Sequence, residues 1–204
     1  QQGRWLLKAL RGFSLIELIV GMVILGVLLS LAMPGFSNWL RNARVRTAAE
    51  SVQNGLQLAR AEAVRRNTDV RFSLVNTTGS TCALDPAGPN WVISLDPPAG
   101  KCDKPASDTD PRIIQSRSGA EGSAATTLVA GQSSFIFNNL GRLTPTPAGN
   151  VDIDFSSATG QLCIAAGGPV RCLRVVVSIG GQIRMCDPAF PTDNPKTADP
   201  QACI

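Results

Sequence analysis

The sequence predicts an α+β protein: a long N-terminal helix, with a transmembrane half and an amphipathic half, packed on an antiparallel β-sandwich or rolled sheet. Three observations carry that reading. From Phe13 to Met33 the chain is an apolar run whose only formal charge is Glu17. Apolar residues then recur at steps of three and four, at Val45, Ala48, Val52, Leu56, Ala59 and Ala63, which is one face of a helix. Beyond Asn67 the pattern changes to short alternating segments separated by Gly, Pro and Asn, which is the signature of strands and turns.

At about 1.5 Å per residue, the run 13–33 makes a helix roughly 30 Å long, enough to cross a bilayer core. Arg4, Lys8 and Arg11 precede it with no acidic residue, so the basic flank is expected to stay on the cytoplasmic side. A carboxylate this deep in an apolar helix costs about 2.5–3.5 kcal/mol even on insertion scales. Glu17 therefore calls for a partner.

At Arg11-Gly12-Phe13-Ser14-Leu15-Ile16-Glu17 the chain resembles the type IV prepilins and the pseudopilins of type II secretion. The resemblance implies a leader over 1–12, cleavage between Gly12 and Phe13 by the prepilin peptidase, and methylation of the new amino terminus at Phe13. That cut leaves the apolar helix in place, unlike an ordinary secretory signal. The protein is then expected to sit in the inner membrane as a single-pass chain with a periplasmic ectodomain until other pilins draw it into a filament. There, the resemblance implies, Glu17 meets the Phe13 amino group of a neighbouring subunit, which supplies the missing partner. The chain begins with Gln1, so further leader residues are expected ahead of it.

Pro34 follows the span and lacks a backbone donor, so a kink or local loosening is expected there. Residues 34–67 form the amphipathic half of the spine helix, and the β-rich ectodomain occupies 68–204. Strands are expected at Val70–Leu74, Trp91–Leu95, Arg112–Ser116, Thr126–Ala130, Ser133–Phe137, Val151–Phe155, Gln161–Ala165, Val170–Ile179 and Gln182–Cys186. Asn139-Leu140-Gly141, Gly167-Gly168 and Gly180-Gly181 supply turn chemistry between them.

All 6 Cys lie beyond the span, which argues for disulfides in an oxidising compartment. If Gly167-Gly168 is a two-residue hairpin loop, Cys163 falls opposite Cys172 on a non-hydrogen-bonded rung, where side chains are closest. This predicts a Cys163–Cys172 cross-strand disulfide. Cys186 with Cys203 would then close the Pro-rich tail, and Cys82 with Cys102 would tie the excursion over residues 80–112. Only the first pair has a geometric argument, because six cysteines allow about fifteen connectivities.

Ser134-Phe135-Ile136-Phe137-Asn138-Asn139-Leu140-Gly141-Arg142, the run Arg171 to Ser178 and Gly180-Gly181-Gln182-Ile183-Arg184-Met185-Cys186 resemble the GspH/FimT/FimU group of minor pilins and pseudopilins. The resemblance implies a pilin-like fold and a low-copy subunit at or near the tip of a type IV pilus, supporting its priming. The alternatives are a minor pseudopilin of type II secretion and a FimT-like pilin that captures DNA. In the DNA-capturing members the loop before the last strand resembles Gly-Arg-x-Arg; here it reads Gly181-Gln182-Ile183-Arg184, with one arginine replaced by an amide. Arg142, Arg171, Arg174 and Arg184 are the candidate phosphate contacts. A solvated sheet edge carrying gatekeeper charges is the commoner role for such residues.

Three of the 19 basic residues lie in the leader, so the remainder nearly balances the 15 acidic ones. His and Tyr are both absent, which removes His-based acid/base catalysis and His metal sites. Arg41, Arg44 and Arg46 could face anionic lipid, though a solvated helix face is the commoner role. Asp108 with Asp110, and Asp152 with Asp154, lack the glycine turn and further ligands of a calcium loop. No metal, no cofactor and no enzymatic activity are expected. The partners expected are the prepilin peptidase, other minor and major pilins, the inner membrane before assembly and, for the alternative, DNA.

Overall fold

The structure, a computed structural model, describes residues 14–121, 125–190 and 199–203, with the side chains of 31–34 left aside. The expected leader and cleavage point Gly12/Phe13 fall outside these residues. The chain divides into two compact units, Gln1–Ser37 and Asn38–Ile204.

A single helix, α1, is assigned over Leu15–Arg66 and includes Pro34. In the first unit it exposes Leu15, Ile16, Leu18, Ile19, Val20, Met22, Val23, Ile24, Leu25, Val27, Leu28 and Leu29. Consecutive positions all expose apolar side chains, so this stretch is hydrophobic on every face rather than on one stripe. Among the described residues no single helix is by itself long and apolar enough to cross a membrane; Leu15–Ser30 and Gly35–Arg66 pass that test only together.

In the second unit the 3.6-residue period takes hold. Val45, Ala48, Ala49, Val52, Leu56, Ala59 and Ala63 are buried. The helix stops where Asn67 takes a left-handed conformation, φ 52°. There the Thr68 N–H donates to the Ala63 carbonyl at 3.2 Å and the Asn67 N–H to that of Val64 at 3.3 Å. That pair of bonds is a Schellman cap, and Asn is the best replacement for glycine in it.

Eight strands follow: β1 Val70–Val75, β2 Asn90–Ser94, β3 Ile113–Arg117, β4 Thr126–Ala130, β5 Ser134–Phe137, β6 Val151–Ser157, β7 Leu173–Val177 and β8 Ile183–Cys186. They form two four-stranded sheets, ordered β3-β2-β1-β5 and β4-β6-β7-β8, with every named pair antiparallel. The inward side chains of both sheets, among them Phe72, Trp91, Phe135, Phe137, Ile153, Phe155 and Val175, share one core with the buried face of α1. Phe72 meets Trp91 at 5.5 Å between ring centroids and Phe135 edge-on at 6.2 Å. Gly55 lets the helix approach these rings, since a Cβ there would lie 2.7 Å from Phe72 Cε2.

The other face of the first sheet is covered too. Val75, Val92 and Ile113 pack with Cys82 and Cys102 in a second, smaller core. The segments around Cys82 and Cys102, on either side of β2, therefore fold onto that face as a lid, tied by the Cys82–Cys102 disulfide.

The expected strand Gln161–Ala165 and its two-residue hairpin do not form. Ile164–Ala166 is instead a 3₁₀ turn with no buried residue, capped by Gly167 in a left-handed conformation. A strand there would have had no core to face. A Cβ on Gly168 would sit 1.9 Å from the Leu162 carbonyl oxygen, so the chain folds tightly back on itself. Cys163 bridges to Val170 in parallel fashion, and Cys163 and Cys172 are disulfide-bonded across this wound loop rather than across a hairpin rung. The late strand is also shorter than expected, Leu173–Val177. A third disulfide, Cys186–Cys203, holds the tail beside β8, where Asp187 bridges to Ala202.

Candidate functional site

Glu17 lies in the first turn of α1 and is exposed, in a stretch where the neighbouring apolar side chains are exposed as well. It has no cationic partner among the described residues. A carboxylate placed on a helix that is apolar all round is tolerable in a dry environment only when another molecule supplies the counter-charge. Gly12 and Phe13 lie outside the described residues, and so does the side chain of Pro34.

The four candidate arginines do not make one cluster. On the outer face of the second sheet, Arg174 of β7 is bound to Asp154 of β6, with Nε to Oδ1 at 2.7 Å and Nη2 to Oδ2 at 3.0 Å. Its Nη1 also reaches Asp152 at 2.9 Å. The Asp154 hydrogen bond, reinforced by the charge of both carboxylates and opposed by partial burial, holds the guanidinium above its ordinary pKa. Asp152 and Asp154, one of the two pairs weighed for calcium, are thus already occupied by a cation.

Arg171 joins three separated pieces of chain. Its guanidinium pairs with the buried Asp187, lies 3.3 Å from Gln201 Oε1 and stacks 5.4 Å from the Phe190 ring. Its backbone N–H donates to Asn42 Oδ1 of α1 at 2.9 Å. This is a clasp between helix, β8 and tail. A buried carboxylate needs such a partner.

Arg142 and Arg184 remain, each without a carboxylate partner among the described residues. Arg184 stands on β8 opposite Val176. Arg142 is exposed and follows the turn at Asn138–Gly141. Nearer the first unit, Arg41 is held by Asn38 and Gln161 at 2.9 and 3.0 Å, and Arg46 by Glu50 at 2.7 Å. Sequence reasoning missed Gln161 and Asp187 because they are distant in the chain from the arginines they hold, and Asp152 and Asp154 because they had been weighed for calcium.

The family model described as type II transport protein GspH matches residues 48–181, and that of the prokaryotic N-terminal methylation motif matches residues 7–33. Among solved structures, the chain is similar to two crystal forms of the type IV minor pilin FimU of Pseudomonas aeruginosa, in space groups P21 and P65, at 17% identity. These matches have TM-scores of 0.48 and 0.47 and cover 78% of this chain and 95% and 99% of theirs. The matched GspH span runs from the buried face of α1 to the turn before β8, and the methylation motif covers Glu17 and α1 as far as residue 33. The chain belongs to the family of the type II transport protein GspH and carries the prokaryotic N-terminal methylation motif.

Proposed function

We propose that this protein is a minor pilin, incorporated at or near the tip of a type IV pilus, where it supports priming of the filament. The observation that carries the reading is the exposed apolar helix Leu15–Leu29 with Glu17 in its first turn and no counter-charge among the described residues. Cleavage between Gly12 and Phe13 frees an amino group at Phe13, which is then methylated. In the filament Glu17 pairs with that amino group of a neighbouring subunit, and the apolar faces of adjacent helices cover one another. Before assembly the same helix keeps the chain in the inner membrane with its disulfide-tied domain in the periplasm, and the loosening at Pro34 belongs to the same proposal. Its role is structural rather than enzymatic.

A second reading is a minor pseudopilin of type II secretion, favoured by the description of the matching family. DNA capture is a weaker third. Two of its four arginines are neutralised by carboxylates, and phosphate affinity depends on the number of available cations.

Mass spectrometry of sheared surface filaments, against the same preparation from cells unable to polymerise them, tests the reading. Enrichment of the chain with a methylated Phe13 is expected. Methylated chain found only in the membrane fraction, with exoprotein release impaired by its loss, would replace the pilus reading with the secretion one.

A further inference from the structure

Beyond the end of α1, two turns of the same build are seated against each other. Asn138 opens one and Ser178 the other. In each, the side-chain oxygen accepts the backbone N–H four residues on, from Arg142 at 3.1 Å and from Gln182 at 3.0 Å. The residue before that is a glycine, Gly141 or Gly181, whose N–H returns to the opening carbonyl at 2.8 Å. Both glycines hold positive φ, 71° and 77°, where a side chain would be strained. A Cβ on Gly181 would lie 1.9 Å from the Gly141 carbonyl oxygen, so the turns touch backbone to backbone. Arg60 of α1 donates to that same carbonyl at 3.1 Å.

This fixed platform points apolar side chains outward. Leu140 is 69% exposed, Ile179 42% and the adjoining Val64 of α1 53%. Leu140 and Ile179 line a depression of about 380 Å³ together with Arg142 and the hydroxyl residues Thr144 and Thr146. Arg142 has no carboxylate partner among the described residues, whereas Arg65, Arg66, Arg171 and Arg174 each have one.

We propose that this platform docks a neighbouring protein subunit that presents an acidic side chain to Arg142 and aliphatic side chains to Leu140 and Ile179. The inference rests on the assembly reading above and names one surface through which it acts. Three arguments select this occupant. Arginine is enriched at interface cores, and exposed apolar side chains beside it supply area that docking removes from water. The turns are held by their own hydrogen bonds, so docking orders little chain. Arg142 is the one cation among the described residues that line the depression, which complements a carboxylate but is too few for a polyanion, whose affinity scales with the number of phosphates neutralised.

The test uses the full-length chain with a photoreactive benzoyl-phenylalanine in place of Leu140, expressed in cells that assemble the filament. Irradiation should give an adduct with another subunit, at a peptide containing Asp or Glu. Arg142→Glu should lower its yield about tenfold or more. Arg142→Lys should retain most of it, and reversing the partner's acid to Arg should restore the Arg142→Glu yield. Arg142→Gln, with all three disulfides intact on non-reducing gels, separates loss of charge from misfolding. An adduct with DNA, an adduct only with a second copy of this chain, indifference to Arg142→Glu, or no adduct from chain recovered in sheared filaments would each overturn the inference and leave the assembly reading standing. Chain absent from every filament and giving no adduct would overturn both.

Discussion

Arg174 binds Asp154 across adjacent strands through two parallel N–H···O bonds and spares its remaining nitrogen for Asp152 at 2.9 Å. One cation thus serves two carboxylates on the outer face of the second sheet. Arg174→Gln is expected to leave those two like charges facing each other and to lower stability by about 1 kcal/mol or less, since the site is partly solvated. Thermal denaturation of Arg174→Gln, Asp154→Asn and the double variant checks it. Strictly additive losses would show that the pair is not coupled.

Glu17→Ala should leave cleavage and methylation of the N-terminus largely intact while strongly reducing incorporation into filaments. Quantifying processed chain in membranes and in sheared filaments separates the two effects. Normal incorporation would sink the pairing of Glu17 with a neighbour's amino group.

Gly55→Val would place its Cβ 2.7 Å from Phe72 Cε2 and 3.2 Å from Trp91, both buried rings. Overpacking of this kind costs about 1–3 kcal/mol. A chemical denaturation midpoint equal to that of the parent would mean that the helix can shift away from the sheet.

Glu62 accepts from Arg65 at 2.6 Å and from Arg66 at 2.7 Å. The Arg65 hydrogen bond, aided by Arg66 and opposed by partial burial, holds the Glu62 carboxyl below its ordinary value of 4.5. A depressed folded-state pKa gives stability that is fully present above the unfolded value and is lost as pH falls through the folded one. Melting temperature should therefore drop on acidification below about pH 4.5, and Glu62→Gln should flatten part of that limb. An identical acid limb in the variant would remove Glu62 from the account.

Replacing Cys82 and Cys102 together by Ala should loosen the lid over the first sheet while the main core persists. Releasing a closed loop of this size costs about 3 kcal/mol in the chain-entropy picture. Limited proteolysis should then cut within residues 76–89 or 95–112, on either side of β2, before anywhere else in the domain. Cleavage spread evenly over the chain would show that the two cores unfold as one.

The spine helix was legible because its buried residues, Val45 to Ala63, repeat at the helical period, and most strands because they alternate between turn residues. The failure at Gln161–Ala165 has a local cause. Leu162 and Ile164 looked like strand residues, yet both are exposed, and the Gly168 backbone packs where a hairpin rung would have been. The second core was foreshadowed by the unbroken apolar run Trp91-Val92-Ile93, the pattern of a strand buried on both faces. Which arginines are free depended on long-range partners, Asp154 for Arg174 and Asp187 for Arg171, and register across a sheet is not written in local spacing.

β1 and β2 separate the two cores, with Phe72, Leu74, Trp91 and Ile93 facing one and Val75 and Val92 the other. They act as a party wall: a volume change at Val92 presses through the strand onto rings that support the spine helix. The segments outside that wall reach it through Cys82 and Cys102, so a change on their outer surface meets the smaller core before the larger one.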